Sequence, residues 1–320
     1  MSLEKVHYVL NNLDSSQEWQ IKLLRITTTK NAGTIYATRN IVLDPPGTLL
    51  DVITGIKCHY LEGSNAKYSC FREVRDYDGT AEASAIYKIS TDHELVCATY
   101  TQLTRSLSHG ENEGDPFDFR ANAYVLYGSI KIPGQLLINK CEQEQECTVI
   151  LITMQNPVSV LKHKFLYDAG TFKKISDKVL SIRPYFDVLI IDGTVYMLTM
   201  AGEKVFSMDR AYRAICDAKV TAIEGAKIVT LPERFRDVAT KGHNPRRFAG
   251  FSQEYFNRLQ QNIDERQTIA RRFGIPMQGD QFNVESEDAA NKLIKLLCRK
   301  GMRDAFDDIA VEVDSARPWN

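Results

Sequence analysis

The chain has 320 residues, 43% of them hydrophobic and 25% charged, with a net charge near −1, which excludes a disordered or fibrous protein and a uniformly basic nucleic-acid binder. That length allows one large domain or two of ordinary size, and two are expected here. No run approaches the roughly 18 apolar residues of a membrane span or the apolar region of a signal peptide, and seven cysteines without CxxC or zinc-type spacing suit a reducing compartment, so the expectation is a cytoplasmic protein without direct membrane insertion.

Leu3, Val6, Val9, Leu10 and Leu13 recur at helical spacing and predict an opening amphipathic helix over 3–13. Trp19–Ile26 and Ile35–Leu43 read as strands around a polar turn at Lys30–Gly33, ended by Pro45-Pro46-Gly47. Leu49, Leu50, Ile53 and Ile56 predict a helix to about Tyr60, and Tyr68–Arg75 with Ser84–Ile89 predict a hairpin around Asp78-Gly79. A helix is expected from Asp92 to about Leu107, with Leu95, Thr99, Leu103 and Leu107 on one side and Thr91 or Asp92 as its cap. An acidic loop at Gly110–Asp118 and a second acidic run at Glu142, Glu144 and Glu146 lie among strands expected near 121–132, 147–153 and 160–167. This half reads as a β-rich α+β unit.

Phe172–Leu180 then leads into the strongest local signal in the chain, Tyr185 to Thr199. Two apolar, β-rich runs, Phe186–Ile191 and Thr194–Leu198, flank Asp192-Gly193, a pair suited to the positive backbone dihedrals of a two-residue type I′ turn. That turn sets Ile191 opposite Thr194, Leu189 opposite Tyr196 and Asp187 opposite Leu198. Apolar side chains on both faces place the hairpin inside a sheet covered on both sides.

After Ala201-Gly202 the apolar period changes from two to about 3.6. Met208, Ala211, Tyr212, Ile215, Ala222 and Ile223 predict a helix over 207–224 with Ser207 as cap, and Pro232–Val238 a short one. Phe248, Phe251, Tyr255 and Leu259 predict a single helix over 245–261, followed by one over 263–273 that Gly274 and Pro276 stop. Ser286 caps a last helix with Leu293, Leu296 and Leu297 inward and Gly301 closing it, and a short strand is expected around Ile309–Val313. The fold class is therefore α+β, with a β-rich unit over 1–165 and a hairpin plus helical unit over 166–320.

Charge is segregated along the chain. Residues 227–272 hold ten Lys/Arg against five Asp/Glu, a balance of +5 that leaves −6 for the rest. Within that stretch, Lys241-Gly-His-Asn-Pro-Arg-Arg-Phe248 stands out, because Asn244 and Pro245 read as a helix start with Arg246 and Arg247 directly inside it. Cations there oppose the helix dipole and make sense if an anion such as phosphate docks on them; the alternative is that they pair with carboxylates or lie solvated. Lys241, His243, Asn244, Arg246 and Arg247 form the candidate phosphate site, which Lys227, Arg234, Arg236 and Arg258 extend. Arg271 and Arg272 join it as candidates, although the last turn of a helix favours cations without any ligand.

The motifs of nucleotide hydrolases, esterases, zincins and EF-hands are absent, and no metal or cofactor is expected. For a metal-dependent nuclease the nearest set is Asp187, Asp192, Asp217 and Lys219. Against it, Asp192 is explained by its turn, and Asp217 and Lys219 by the solvated face of a helix. Cys58 and His59, like Cys216 and Cys298, read as core or near-core residues rather than a nucleophile pair.

Phe186-Asp-Val-Leu-Ile-Ile-Asp-Gly-Thr-Val-Tyr196, followed by Gly202-Glu-Lys-Val-Phe206 and a helix, resembles the shared core of the KwaB family, the cytoplasmic component of the bacterial Kiwa anti-phage defence system. The resemblance runs from about Val158 through the final helix and takes in Asn244-Pro-Arg-Arg-Phe248, Cys298 and Trp319; the first 150 residues match only in their order of elements. It implies a DNA-binding protein that partners the membrane protein KwaA and restrains phage replication, with no catalytic motif to carry over. The resulting expectation is a non-enzymatic DNA-binding effector, a homodimer recruited to the inner membrane by its partner. A metal-dependent nuclease effector and a pure protein-interaction subunit are the alternatives.

Overall fold

In the computed structural model, Asp192 and Gly193 both take positive φ, 48° and 65°, as a type I′ turn requires. The strands on either side pair Ile191 with Thr194 and Leu189 with Tyr196, and Leu198 donates its N–H to the Asp187 carbonyl at 2.9 Å. The structure describes residues 3–15, 18–29, 33–43, 47–62, 67–77, 84–109, 118–137, 142–155, 157–160, 164–168, 171–175, 178–303 and 310–312. The Pro45-Pro46 stop, the Asp78-Gly79 turn, Trp319 and most of the Lys30–Gly33 turn and the 110–118 loop lie outside them.

The chain folds into two compact units, one of Met1–Asp76 with Glu82–Ser207 and one of Tyr77–Ala81 with Met208–Asn320. In the first, in chain order, come α1 (Leu3–Asn11), β1 (Gln20–Thr29), β2 (Gly33–Ile41), α2 (Thr48–Leu61), β3 (Glu73–Asp76), β4 (Ala85–Ser90), α3 (Cys97–Ser108), β5 (Ala123–Ile132) and β6 (Gln145–Thr153). Four short strands follow, β7 (Val158–Val160), β8 (Lys164–Asp168), β9 (Thr171–Ile175) and β10 (Lys178–Leu180), then the hairpin strands β11 (Val188–Ile191) and β12 (Thr194–Met197) and the turn of helix α4 (Gly202–Val205). Eight strands form one mixed sheet in the order β2-β1-β5-β6-β11-β12-β4-β3, with the hairpin in its interior. The hairpin thus belongs with the N-terminal strands, and the units divide after Ser207 rather than at 165.

Both faces of the hairpin are covered. Leu189, Ile191 and Tyr196 join the core that Val6, Val9, Leu10, Ile53 and Ile56 of α1 and α2 build on one face, while Ile190 and Val195 on the other are 2% and 0% exposed. Lys5 of α1 reaches the turn itself, its ammonium 2.7 Å from the Asp192 carboxylate and only 1% exposed. Asp187, also buried, accepts from the Met154 N–H at 2.7 Å and the Thr199 hydroxyl. Gly202 follows directly: a Cβ there would stand 2.9 Å from Met197 Cγ and Val188 Cγ2, so the hairpin and α4 approach only across a glycine.

Two predicted elements of this unit differ. β3 and β4 pair in parallel, Glu73 with Ala85 and Val74 with Ile86; β4 begins only at Ala85, well beyond Gly79, and a two-residue turn dictates a hairpin only when both strands abut it. α3 starts at Cys97, because residues 91–96 form turns in which Leu95 and Val96 are already buried. Its Ser106 then blunts the sheet edge, donating to the Tyr36 carbonyl at 3.1 Å and accepting from Thr38 Oγ1 through its own carbonyl at 2.6 Å.

The second unit is helical: α5 (Met208–Gly225), α6 (Pro232–Ala239), α7 (Asn244–Arg247), α8 (Gln253–Gln261), α9 (Ile263–Phe273) and α10 (Glu287–Leu297), with the short pairs β13 (Met277–Gln278) with β14 (Gln281–Phe282) and β15 (Gly301–Arg303) with β16 (Ala310–Glu312). Val220, Phe235, Phe248, Phe256, Leu259, Leu293 and Leu297 form its core. The helix expected over 245–261 is broken. Ser252 accepts from the Tyr255 N–H and starts α8 afresh, so the polar cap overrides an apolar period that runs across it, leaving Tyr255 39% exposed and Phe256 buried in its place. Ser207, expected to cap α5, sits instead in left-handed backbone at φ 49°, outside the extended region of a cap.

Candidate functional site

The basic segment begins where α6 ends. Pro232 fits the first turn of α6, which needs no N–H from it, and Gly242 turns the chain beyond Ala239 at φ 58°, a conformation glycine adopts without strain. Asn244 follows and is buried, 6% exposed. Its amide donates to the Val238 carbonyl at 3.0 Å and to Asn291 Oδ1 at 2.9 Å, and its oxygen accepts from Arg247 Nη1 at 2.6 Å. One side chain thus ties the end of α6 to α10 and orients an arginine, with its polar atoms satisfied.

This corrects the basis on which Arg246 and Arg247 were selected. His243, not Asn244, holds the cap position, without a side-chain cap bond, and α7 is a single turn of four residues. So short a helix develops little dipole, and opposition to a dipole is no reason for the two arginines.

What the segment does form is a cleft of about 290 Å³. Arg234, Lys241, His243, Asn244 and Arg247 line it, and Asp237, Glu287 and Asn291 complete its polar surface. Asp237 bridges two of the cations, 2.6 Å from Lys241 and 3.3 Å from Arg234. The Lys241 ammonium, with Arg234 behind it, holds the Asp237 carboxyl below its ordinary value. Lys241 remains 70% exposed, so its charge stays accessible to a ligand. Glu287 and Asn291 are four residues apart on α10 and share one face of it; Asp288 in the same turn pairs instead with Lys292 at 2.8 Å.

Other predicted residues are placed elsewhere. Arg236 clamps α6 to α5: its guanidinium donates to both Glu224 oxygens at 2.9 and 2.6 Å, to Asp217 at 2.8 Å and to the Thr221 hydroxyl at 2.8 Å. The Glu224 carboxylate, with Asp217, raises the guanidinium above its ordinary value, a structural role that occupies four of its five N–H donors. Arg258 pairs with Glu265 across the junction of α8 and α9. Arg271 and Arg272 occupy the last turn of α9, before Gly274 in left-handed conformation, and neither they nor Arg246 line the cleft. Nothing in the sequence marks Asp237, Glu287 and Asn291 as cleft residues: a run of cations leaves out the carboxylate between them, and α10 reaches the cleft only through the fold.

The residues weighed for a nuclease are committed to structural partners. Asp187 and Asp192 stand at opposite ends of β11, about 16 Å apart along an extended chain, and Asp217 belongs to the Arg236 clamp. Lys219 bonds Gln253 at 3.3 Å and lies over the Phe251 ring. Among the described residues no group of three His, Cys, Asp or Glu is placed to hold a metal ion. Burial pushes the Cys216 and Cys298 thiols up to about 12, as suits core residues.

Fold and site together define an α+β protein with a mixed eight-stranded sheet and a helical unit that carries a cationic cleft. Residues 149–303 match the family model described as Kiwa protein KwaB-like. Over that stretch, just under half of the chain, the protein resembles KwaB, which suggests a component of the Kiwa anti-phage defence system. The matched stretch runs from β6 through the central hairpin to β15 and contains every residue that lines the cleft. No curated protein and no solved structure matches the chain. Among the described residues no helix is long and apolar enough to cross a membrane.

Proposed function

We propose that the protein is a non-enzymatic DNA-binding component of Kiwa defence that holds DNA phosphate at the cleft between α6, α7 and α10. The observation that carries this reading is the convergence of Arg234, Lys241, His243, Asn244 and Arg247 in one concavity, although they are spread over fourteen positions of sequence. Lys241 is the exposed point charge, Arg234 the adjacent guanidinium, and Asn244 holds Arg247 in place. Resemblance to KwaB supports the setting of Kiwa defence; within it the proposal places the protein as a homodimer beside the membrane protein KwaA. Binding to phosphate releases condensed counterions, so affinity for duplexes of unrelated sequence should fall together on a log–log plot against salt, by about 0.9 for each phosphate neutralised. Affinity indifferent to salt, or confined to one sequence, contradicts the proposal. No DNA binding at any salt favours a pure interaction subunit.

A further inference from the structure

The cleft is small, concave and of mixed charge, and those three properties together narrow what can enter it. At about 290 Å³ it lies at the low end of small-molecule sites, roughly 300–1,000 Å³. A surface that reads base edges in a duplex instead offers a helix or strand to a groove about 12 Å wide. Asp237 and Glu287 share the cleft with the cations, so carboxylate acceptors stand beside the phosphate-binding groups. They are suited to accept hydrogen bonds from a sugar hydroxyl or an exocyclic base amine. Phosphate acceptors on one side of the ligand and hydrogen-bond donors on the other are the chemistry of one nucleotide.

Building on the DNA-binding reading above, we infer that the cleft receives a single nucleotide, its phosphate on Lys241 and Arg234 and its sugar or base donors on Glu287, with Asn291 beside them. A strand terminus carrying a 5′-phosphate and a free mononucleotide offer this same chemistry. Asn244 makes the arrangement rigid, since its bonds to Val238 and Asn291 fix α6 against α10 and so set the separation of the cationic wall from Glu287.

Calorimetric titration of the full-length chain with deoxyadenosine monophosphate, inorganic phosphate and deoxyadenosine tests the inference. The monophosphate should bind about tenfold or more tightly than either part, the weight of a charge-assisted hydrogen bond. Lys241→Gln should weaken monophosphate and phosphate alike, whereas Glu287→Gln should remove the advantage of the monophosphate while phosphate alone binds as tightly as to the parent or more tightly. Competition by 5′-phosphorylated linear DNA, but not by closed circular DNA of the same sequence, identifies the ligand as a strand end; competition by neither identifies a free nucleotide. Equal competition by both overturns the inference, because a continuous strand would then fill the cleft. Monophosphate binding no tighter than phosphate overturns it too, and salt-dependent DNA binding that survives this result leaves the DNA reading standing. Nucleotide binding without any DNA binding removes the DNA reading alone.

Discussion

Buried among three partners, Asn244 acts as scaffold more than as ligand. Replacing it with alanine leaves the Val238 carbonyl, Asn291 and the Arg247 guanidinium each short of a partner, and a buried group left unsatisfied costs about 1–3 kcal/mol. Urea denaturation of Asn244→Ala should register a loss of that order, and an unchanged midpoint would show that the network is dispensable. The buried thiols supply a second test, with a definite sign in pH. Cys216 and Cys298 are pushed up to about 12 from an ordinary 9.0 by burial, so the unfolded chain surrenders these protons first. Their contribution to stability is therefore complete below pH 9 and is lost as pH rises towards 12. At pH 8 iodoacetamide should modify the exposed Cys70 and Cys97 and reach Cys216 and Cys298 only on unfolding. Mass spectrometry reads this site by site, and equal labelling of all four would refute the burial.

Among the elements, the hairpin has both the most local specification and the most buried setting. Asp192 serves it twice, through a positive φ of 48° and through the ion pair with Lys5, which is 1% exposed. Asp192→Asn separates the two roles, since asparagine also favours such a turn but leaves the ammonium buried without its partner. Breaking a buried pair in this way costs about 3–5 kcal/mol. Lys5→Met should cost less, because Asp192 is 21% exposed and can turn to water. Thermal melts in which Asp192→Asn matches the parent would show the pair to be incidental. The turn was legible in the sequence because its whole specification lies in two adjacent residues between abutting strands. β3 and β4 were not, since their parallel pairing depends on where the intervening chain travels. The 245–261 period misled for a related reason: apolar spacing continued across Ser252, and one cap hydrogen bond outweighed it.

For the whole molecule, the change from sheet to helices was legible as a change of period, and the segregation of charge pointed to the segment whose cations line the cleft. The individual contacts were less accessible. Arg236 and Arg258 look in sequence like the other cations, yet carboxylates on neighbouring helices already hold them, while Glu287 and Asn291 enter the site from the distant α10. Cations that bind a ligand differ from those that bind the fold only in what faces them across space.

That distinction underlies the central claim, and the salt dependence of DNA affinity for Arg234→Gln/Lys241→Gln tests it most directly. Both side chains line the cleft and, among the described residues, pair with the half-exposed Asp237, so the fold should tolerate the change with little loss, as for most surface ion pairs. The account predicts affinity weaker by about 1–3 kcal/mol and a log–log salt slope flatter by about one to two. A double variant that binds DNA with the affinity and slope of the parent would contradict it.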